Sequence, residues 1–208
     1  MIHDKTQPID AFLTATAAKS PTPGGGSVAA LAGALAAAMG EMVLNYSVGK
    51  KDLAPYQDEL KHGLDELHRA RQILLELMIE DQAAYAALTE VRKLPPDDPQ
   101  RSGKHDAAVL VCIRIPQSIG ITAAAILGIC DRLAEKVNKY LLSDLAVCAE
   151  LSMATIRSAA YNVRVNLPEV SDVTERSRFQ HTLERQMVDS ARVIQRLIPR
   201  IWARVEQD

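Results

Sequence analysis

The chain has 208 residues, enough for one domain with a sizeable core. Lysine and arginine total 24 against 26 aspartate and glutamate, and aromatics make up 4% of residues. This near-neutral balance and scarcity of rings exclude the basic face and base-stacking platform of a nucleic-acid binder, and leave no footprint for an anionic membrane.

The N-terminus carries Asp4 and Pro8 but no basic-then-apolar signal, so a cytoplasmic protein is expected. Residues 8–18 read as a short amphipathic helix, with Ile9, Phe12 and Leu13 on its apolar side. Then comes Ser20-Pro21-Thr22-Pro23-Gly24-Gly25-Gly26-Ser27, two stiffening prolines followed by three glycines that leave no side chains in a ligand's way. Ser27 is expected to cap the next helix, residues 28–48. That helix is nearly all Ala, Leu, Val and Met, with Glu41 its one charge, and predicts a central element buried on all sides. Its Ala/Gly richness, Glu41 and Asn45 argue against a membrane span.

Gly49-Lys50-Lys51-Asp52 closes it, with glycine past the last turn and cations beside the negative end. A long helix over 53–92 follows, and the prolines of 94–99 break the chain. A fourth helix from Gln100 toward Cys130 contains Pro116, a kink or break, and a shorter segment covers 131–140. Ser143 is expected to cap a helix running to 165, Leu167-Pro168 to end it, and 173–205 to form a last charged helix. The class predicted is all-α, a multihelical single domain over 1–208 with a buried central Ala/Gly-rich helix.

At 100° per residue, three polar lines fall on faces that should be apolar. On the second long helix, Asp81 sits amid Leu67, Leu74, Leu77, Met78 and Tyr85, away from the acidic solvated face. It is either a carboxylate capping or pairing inside the core, or one desolvated into a general acid with Tyr85 flanking a ligand. On the helix from Asp144, the residues Asp144, Thr155, Asn162 and Asn166 lie opposite the wet face of Glu150, Arg157 and Arg164. They form either an interhelical network or a donor–acceptor edge for a flat heterocycle, and Asp144 also stands at a capping position. Ser27, Glu41 and Asn45 make the third line, with close packing of small residues as its structural explanation.

Cys112, Cys130 and Cys148 stand far apart in apolar patterns and read as reduced, packed thiols. No histidine has a partner at ligand spacing, so no metal site is expected. The glycine loop has no preceding strand and no Gly-Lys-Ser/Thr, which excludes a P-loop.

The ordered set PTPGGGSVAALAGALAAAMGEMV, SVGKK, IEDQAAY, IRIPQS, SDLAVCAE and AAYNVRVNLPEVSD resembles the cyclodeaminase/cyclohydrolase family across almost the whole chain. That family includes the C-terminal half of formiminotransferase-cyclodeaminase and stand-alone methenyltetrahydrofolate cyclohydrolases. The resemblance implies an all-helical fold, a homodimer, and action on the one-carbon bridge of tetrahydrofolate without cofactor or metal. Asp81 matches the family's proton donor. The expected site is then Asp81 and Asp144 as catalytic groups, with Gly24, Gly25, Gly26, Ser27, Lys50, Lys51, Tyr85, Asn162 and Asn166 binding a folate, the lysines at its glutamate tail. Leu94-Pro95-Pro96 replaces the family's usual Leu-Pro-Lys, and Val137-Asn138 its Gly-Asn. The absence of a transferase domain and the AAYNVRVN stretch favour hydrolysis of 5,10-methenyltetrahydrofolate. Formiminotetrahydrofolate cyclodeamination and a non-catalytic folate binder are the alternatives.

Overall fold

In the computed structural model, which describes residues 2–95, 97–99 and 101–206, the chain forms six α-helices. They are α1 (Ile9–Ala17), α2 (Gly25–Asn45), α3 (Gln57–Arg92), α4 (Arg101–Leu133), α5 (Leu142–Asn166) and α6 (Val173–Val205). Short 3-10 turns at Lys51–Tyr56 and Lys139–Leu141 lead into α3 and α5, and one at Leu167–Glu169 leaves α5. Among the described residues there is no strand, so the class is all-α. Pro96 of the breaking loop and the helix start expected at Gln100 lie outside the described residues.

Glycines set the spacing of the bundle. Added methyl groups at Gly33 and Gly40 would meet Leu74 and Leu67 of α3 on one side, and Thr155 and Cys148 of α5 on the other, all within 3.3 Å. Numbers that rise on α2 as they fall on α3 and α5 make both neighbours antiparallel to it. Cys130 of α4 meets Cys148 of α5, and Asp131 of α4 meets Arg196 of α6. Thus α2, α4 and α6 run one way, and α3 and α5 the other. Leu44, Leu60, Leu67, Ile119, Leu127 and Met153 fill the main core. A second cluster, including Leu88, Ile113, Val163 and Leu183, lies where the end of α3 meets the start of α4 and the end of α5.

The structure corrects several local expectations. α2 is central, but one side is bare: Val28 and Leu35 are 41% and 52% exposed. On α1, Phe12 is buried while Ile9 and Leu13 are exposed, so that helix sits on the bundle by one side chain of the three. Ser143 is not a cap; Leu141 holds the N-cap position of α5 without a side-chain bond. α4 runs unbroken past Cys130 to Leu133, and the segment after it is a turn and a 3-10 element rather than a helix to Tyr140. Gly49 adopts φ +81°, the left-handed turn expected of it.

Pro116 does not break α4 because its missing N–H is compensated. That N–H would have bonded the carbonyl of residue 112. The carbonyl of Cys112 instead accepts from the Asn166 side chain of α5 at 3.2 Å. The third polar line has similar partners: Arg71 donates to both Glu41 oxygens at 2.5 and 3.1 Å, while Asn45 is exposed.

Candidate active site

The approach to α2 is Pro21-Thr22-Pro23, with a cis peptide before Pro23, and Gly24 is its N-cap. Glycine has no side chain with which to satisfy the first free amides of the helix. The missing cap comes from α3. Asp81 Oδ2 accepts both the backbone N–H and the hydroxyl of Ser27, each at 2.8 Å. Ser27 is therefore the capped residue rather than the cap, and is itself fully buried. Gly26 makes the approach possible, since a methyl group there would stand 2.5 Å from Asp81 Cγ.

Burial pushes the Asp81 carboxyl above its ordinary 3.8, and the two Ser27 bonds pull it partly back. Oδ2 holds both donors, and Oδ1 has no hydrogen-bond partner among the described residues. Asp81 thus caps a helix inside the bundle, as the first reading has it, and also lines a cavity, the position that the general-acid reading requires.

That cavity, of about 200 Å³, lies between Pro21, Thr22, Gly24, Gly25 and Gly26, Asp81 and Tyr85 of α3, Cys112 of α4, and Asn162, Val165 and Asn166 of α5. Tyr85 makes no hydrogen bond to Asp81 and flanks the opening, 42% exposed. Asn162 Nδ2 bonds back to the Ser158 carbonyl at 2.9 Å, and Asn166 Nδ2 reaches the carbonyls of Cys112 and Asn162. Asn166 has both amide N–H groups engaged and Asn162 one of its two, so the two Oδ1 atoms are left as acceptors and one Asn162 N–H as a donor. A desolvated carboxyl and two amide carbonyls suit a flat heterocycle with an N–H edge.

Cys112 is a member of the site that the sequence reading did not single out; its one signal was the proline four residues on. Its thiol is pushed up to about 11 by burial, with the Asp81 charge adding to the rise. At neutral pH it is a protonated wall group and not a nucleophile.

The remaining expected residues are elsewhere. Asp144 lies in the first turn of α5, eighteen residues before Asn162 and so roughly 27 Å away along the helix. Lys50 and Lys51 follow the far end of α2, with Lys50 Nζ 5.8 Å from the centre of the Tyr140 ring. Thr155 turns its hydroxyl onto the Leu151 carbonyl of its own helix. Among the described residues no three His, Cys, Asp or Glu side chains converge as metal ligands.

The model of the formiminotransferase-cyclodeaminase family matches residues 8–185. A methenyltetrahydrofolate cyclohydrolase of Methylorubrum extorquens is 28% identical over 201 residues, covering 95% of this chain and 97% of its own. The formimidoyltransferase-cyclodeaminase of Gallus gallus is 30% identical over 171 residues, which are 80% of this chain and 32% of that longer protein. The crystal structure of a formiminotetrahydrofolate cyclodeaminase from Thermotoga maritima superposes with a TM-score of 0.82 at 26% identity, covering 97% of this chain and 96% of that one.

Proposed function

The chain belongs to the formiminotransferase-cyclodeaminase family, and we propose that it is an enzyme hydrolysing 5,10-methenyltetrahydrofolate to 10-formyltetrahydrofolate. The observation that carries the reading is the Asp81 carboxyl, raised in pKa and held with one oxygen toward a cavity of heterocycle size. The match to the cyclohydrolase relative over nearly the full length of both chains favours this reaction.

The methenyl bridge is an amidinium-like cation that already attracts water. Asp81 takes the first proton as water adds to the bridging carbon, then returns it from Oδ1 to N5 as the carbon–N5 bond breaks. The second proton of the added water leaves to solvent as the formyl C=O forms on N10. A carboxyl whose pKa is raised by burial can serve both transfers. Asn162 and Asn166 receive the pterin N–H edge, and the bare backbone of Gly24–Gly26 lets the ring approach Asp81. No cofactor or metal is assigned to these steps.

The structural likeness to a cyclodeaminase favours a second reading, in which N10 of 5-formiminotetrahydrofolate closes the ring and the Asp81 proton goes to the departing ammonia. We further propose a cytoplasmic homodimer, acting on a small folate and not on nucleic acid or membrane. Support for the dimer is the uncovered apolar side of α2.

The test is absorbance at the methenyl band with purified protein. Loss of 5,10-methenyltetrahydrofolate supports hydrolysis; formation of it from 5-formiminotetrahydrofolate alone supports the second reading. No change with either substrate overturns both.

A further inference from the structure

A second concavity lies on the side of α4 turned away from the Asp81 cavity. Arg114 follows Cys112 by two residues, which sets it about 200° round the helix, and there it meets Glu175 of α6. The parallel helices α4 and α6 bound an open cleft of about 470 Å³, in the size range of small-molecule sites.

The register of the two helices decides which side chains face each other. Arg114 pairs with Glu175 at 3.5 Å, 61 positions on, and Asp131 with Arg196, 65 positions on. An offset between those values sets Arg178 level with Arg114, and Thr182 level with Ser118. Two arginines therefore confront each other across the cleft, and two hydroxyls do so one turn, about 6 Å, further along. All four side chains line it.

These donors are not consumed by the fold. Among the described residues Arg178 has no partner, and Arg114 has only its long contact with Glu175. Hydroxyls inside a helix commonly turn back onto the carbonyl four residues earlier, as those of Thr122 and Thr155 do. Ser118 and Thr182 make no such bond among the described residues, which leaves their hydroxyls to the cleft. Past Thr182 the cleft continues into a hollow lined by Gln186, whose Nε2 is buried without a partner. A donor buried in that way costs free energy until an acceptor reaches it.

Such a lining calls for an anion rich in acceptors. Two guanidinium groups stand against one carboxylate, that of Glu175, so the cleft is net positive. A carboxylate ligand would be satisfied by the fork of a single arginine. A phosphate monoester brings three acceptor oxygens and about two negative charges at neutral pH, enough for a guanidinium from each helix and the hydroxyls beside them. Phe179, packed against the second core cluster, also lines the cleft and adds a flat apolar surface of the kind on which a base stacks.

We propose that α4 and α6 form a nucleoside monophosphate site. Arg114 and Arg178 take the phosphate from opposite sides, Ser118 and Thr182 bond its remaining oxygens, and Phe179 receives the base. This site is separate from the Asp81 cavity, since no residue lines both, and it stands whichever reaction Asp81 serves.

Isothermal titration calorimetry with AMP tests the proposal. The wild-type protein should bind one AMP per chain, more tightly than inorganic phosphate, and excess folic acid should not displace it. Arg178→Glu should weaken binding about ten-fold, as expected for loss of a charge-assisted hydrogen bond, and Ser118→Ala/Thr182→Ala several-fold. Arg69→Glu makes the same charge change at an exposed position on α3 and should bind AMP as the wild type does. Thermal melts that match wild type would show that these variants remain folded. Absence of saturable AMP binding overturns the proposal. So does an equal loss in Arg69→Glu and Arg178→Glu, which would mean general attraction of anions. Phosphate that binds as tightly as AMP overturns the nucleotide assignment, and displacement of AMP by folic acid overturns the separate site.

Discussion

Asp81 of α3 caps α2 by accepting the Ser27 amide and hydroxyl on one carboxyl oxygen, each at 2.8 Å. The same bonds that fix the carboxyl in space complete the first turn of the glycine-led helix. Under the proposed mechanism structure and chemistry depend on one side chain, and substitutions can separate them.

Asp81→Asn keeps an acceptor for the Ser27 amide but has no proton to give. Turnover should fall about 10²–10⁴-fold, the range for a general acid–base group, while folate binding persists. Stability should respond in the opposite sense. Because the folded-state pKa lies above 3.8, the carboxyl's contribution is complete below that value and is lost as pH rises through the folded pKa. The melting temperature of Asp81→Asn relative to wild type should therefore climb between pH 3 and pH 7. A flat difference would mean that Asp81 is not desolvated.

Ser27→Ala removes one of the two bonds that lower the Asp81 pKa. The pKa should rise further, and the limb of the pH–rate profile on which Asp81 ionises should move to higher pH. Loss of the hydroxyl bond should cost about 1 kcal/mol, measured by urea unfolding. A profile that stays in place would remove Asp81 from the rate-limiting proton transfer.

Gly26→Ala places a methyl group against the Asp81 carboxyl. Either the acid turns away or the helices separate, so kcat should drop at least ten-fold together with the melting temperature. Gly25→Ala meets only the Asn162 amide, at 3.1 Å, and should raise KM while leaving stability nearly intact. Steady-state kinetics and thermal melts on both variants decide this.

Pro116→Ala restores an amide that can bond the Cys112 carbonyl within α4, competing with Asn166. Helix stability should be unchanged or improved, since proline in a helix interior costs about 3 kcal/mol relative to alanine. KM should nevertheless rise several-fold as Asn166 loses its anchor. A more stable enzyme with poorer substrate affinity is the signature; unchanged KM would show that the anchor is dispensable.

The pattern of sequence features that led to the pocket, and of those that led away from it, has a simple geometric origin. Angular position along a helix is legible from sequence, which is why Asp81, Asn162 and Asn166 stood out on their faces. Height is not. Asp144 shares the bearing of Asn162 on α5 but lies five turns below it, and Lys50 and Lys51 share a chain segment with α2 but occupy its opposite end. Local rules also lost to tertiary partners. Ser27 reads as a cap because serine usually is one, yet here a carboxylate from another helix takes that position. Pro116 reads as a break because nothing nearby could serve the Cys112 carbonyl; the group that does is fifty-four residues away. By contrast α6 begins and ends at the residues expected, Val173–Val205, because its amphipathic pattern and its cap, Asp172, are both local.

The glycines of α2 carry a final consequence for motion. Gly25, Gly26, Gly33 and Gly40 fall within its 21 residues, and each weakens a helix by up to about 1 kcal/mol relative to alanine. Such a helix holds its shape only while α3 and α5 clasp it. The Ser27 amide that anchors the acid should then exchange its hydrogen with solvent only in the rare events that open the whole bundle. Its protection measured by native-state exchange should match the global unfolding free energy, making the floor of the pocket among the last parts of the molecule to loosen.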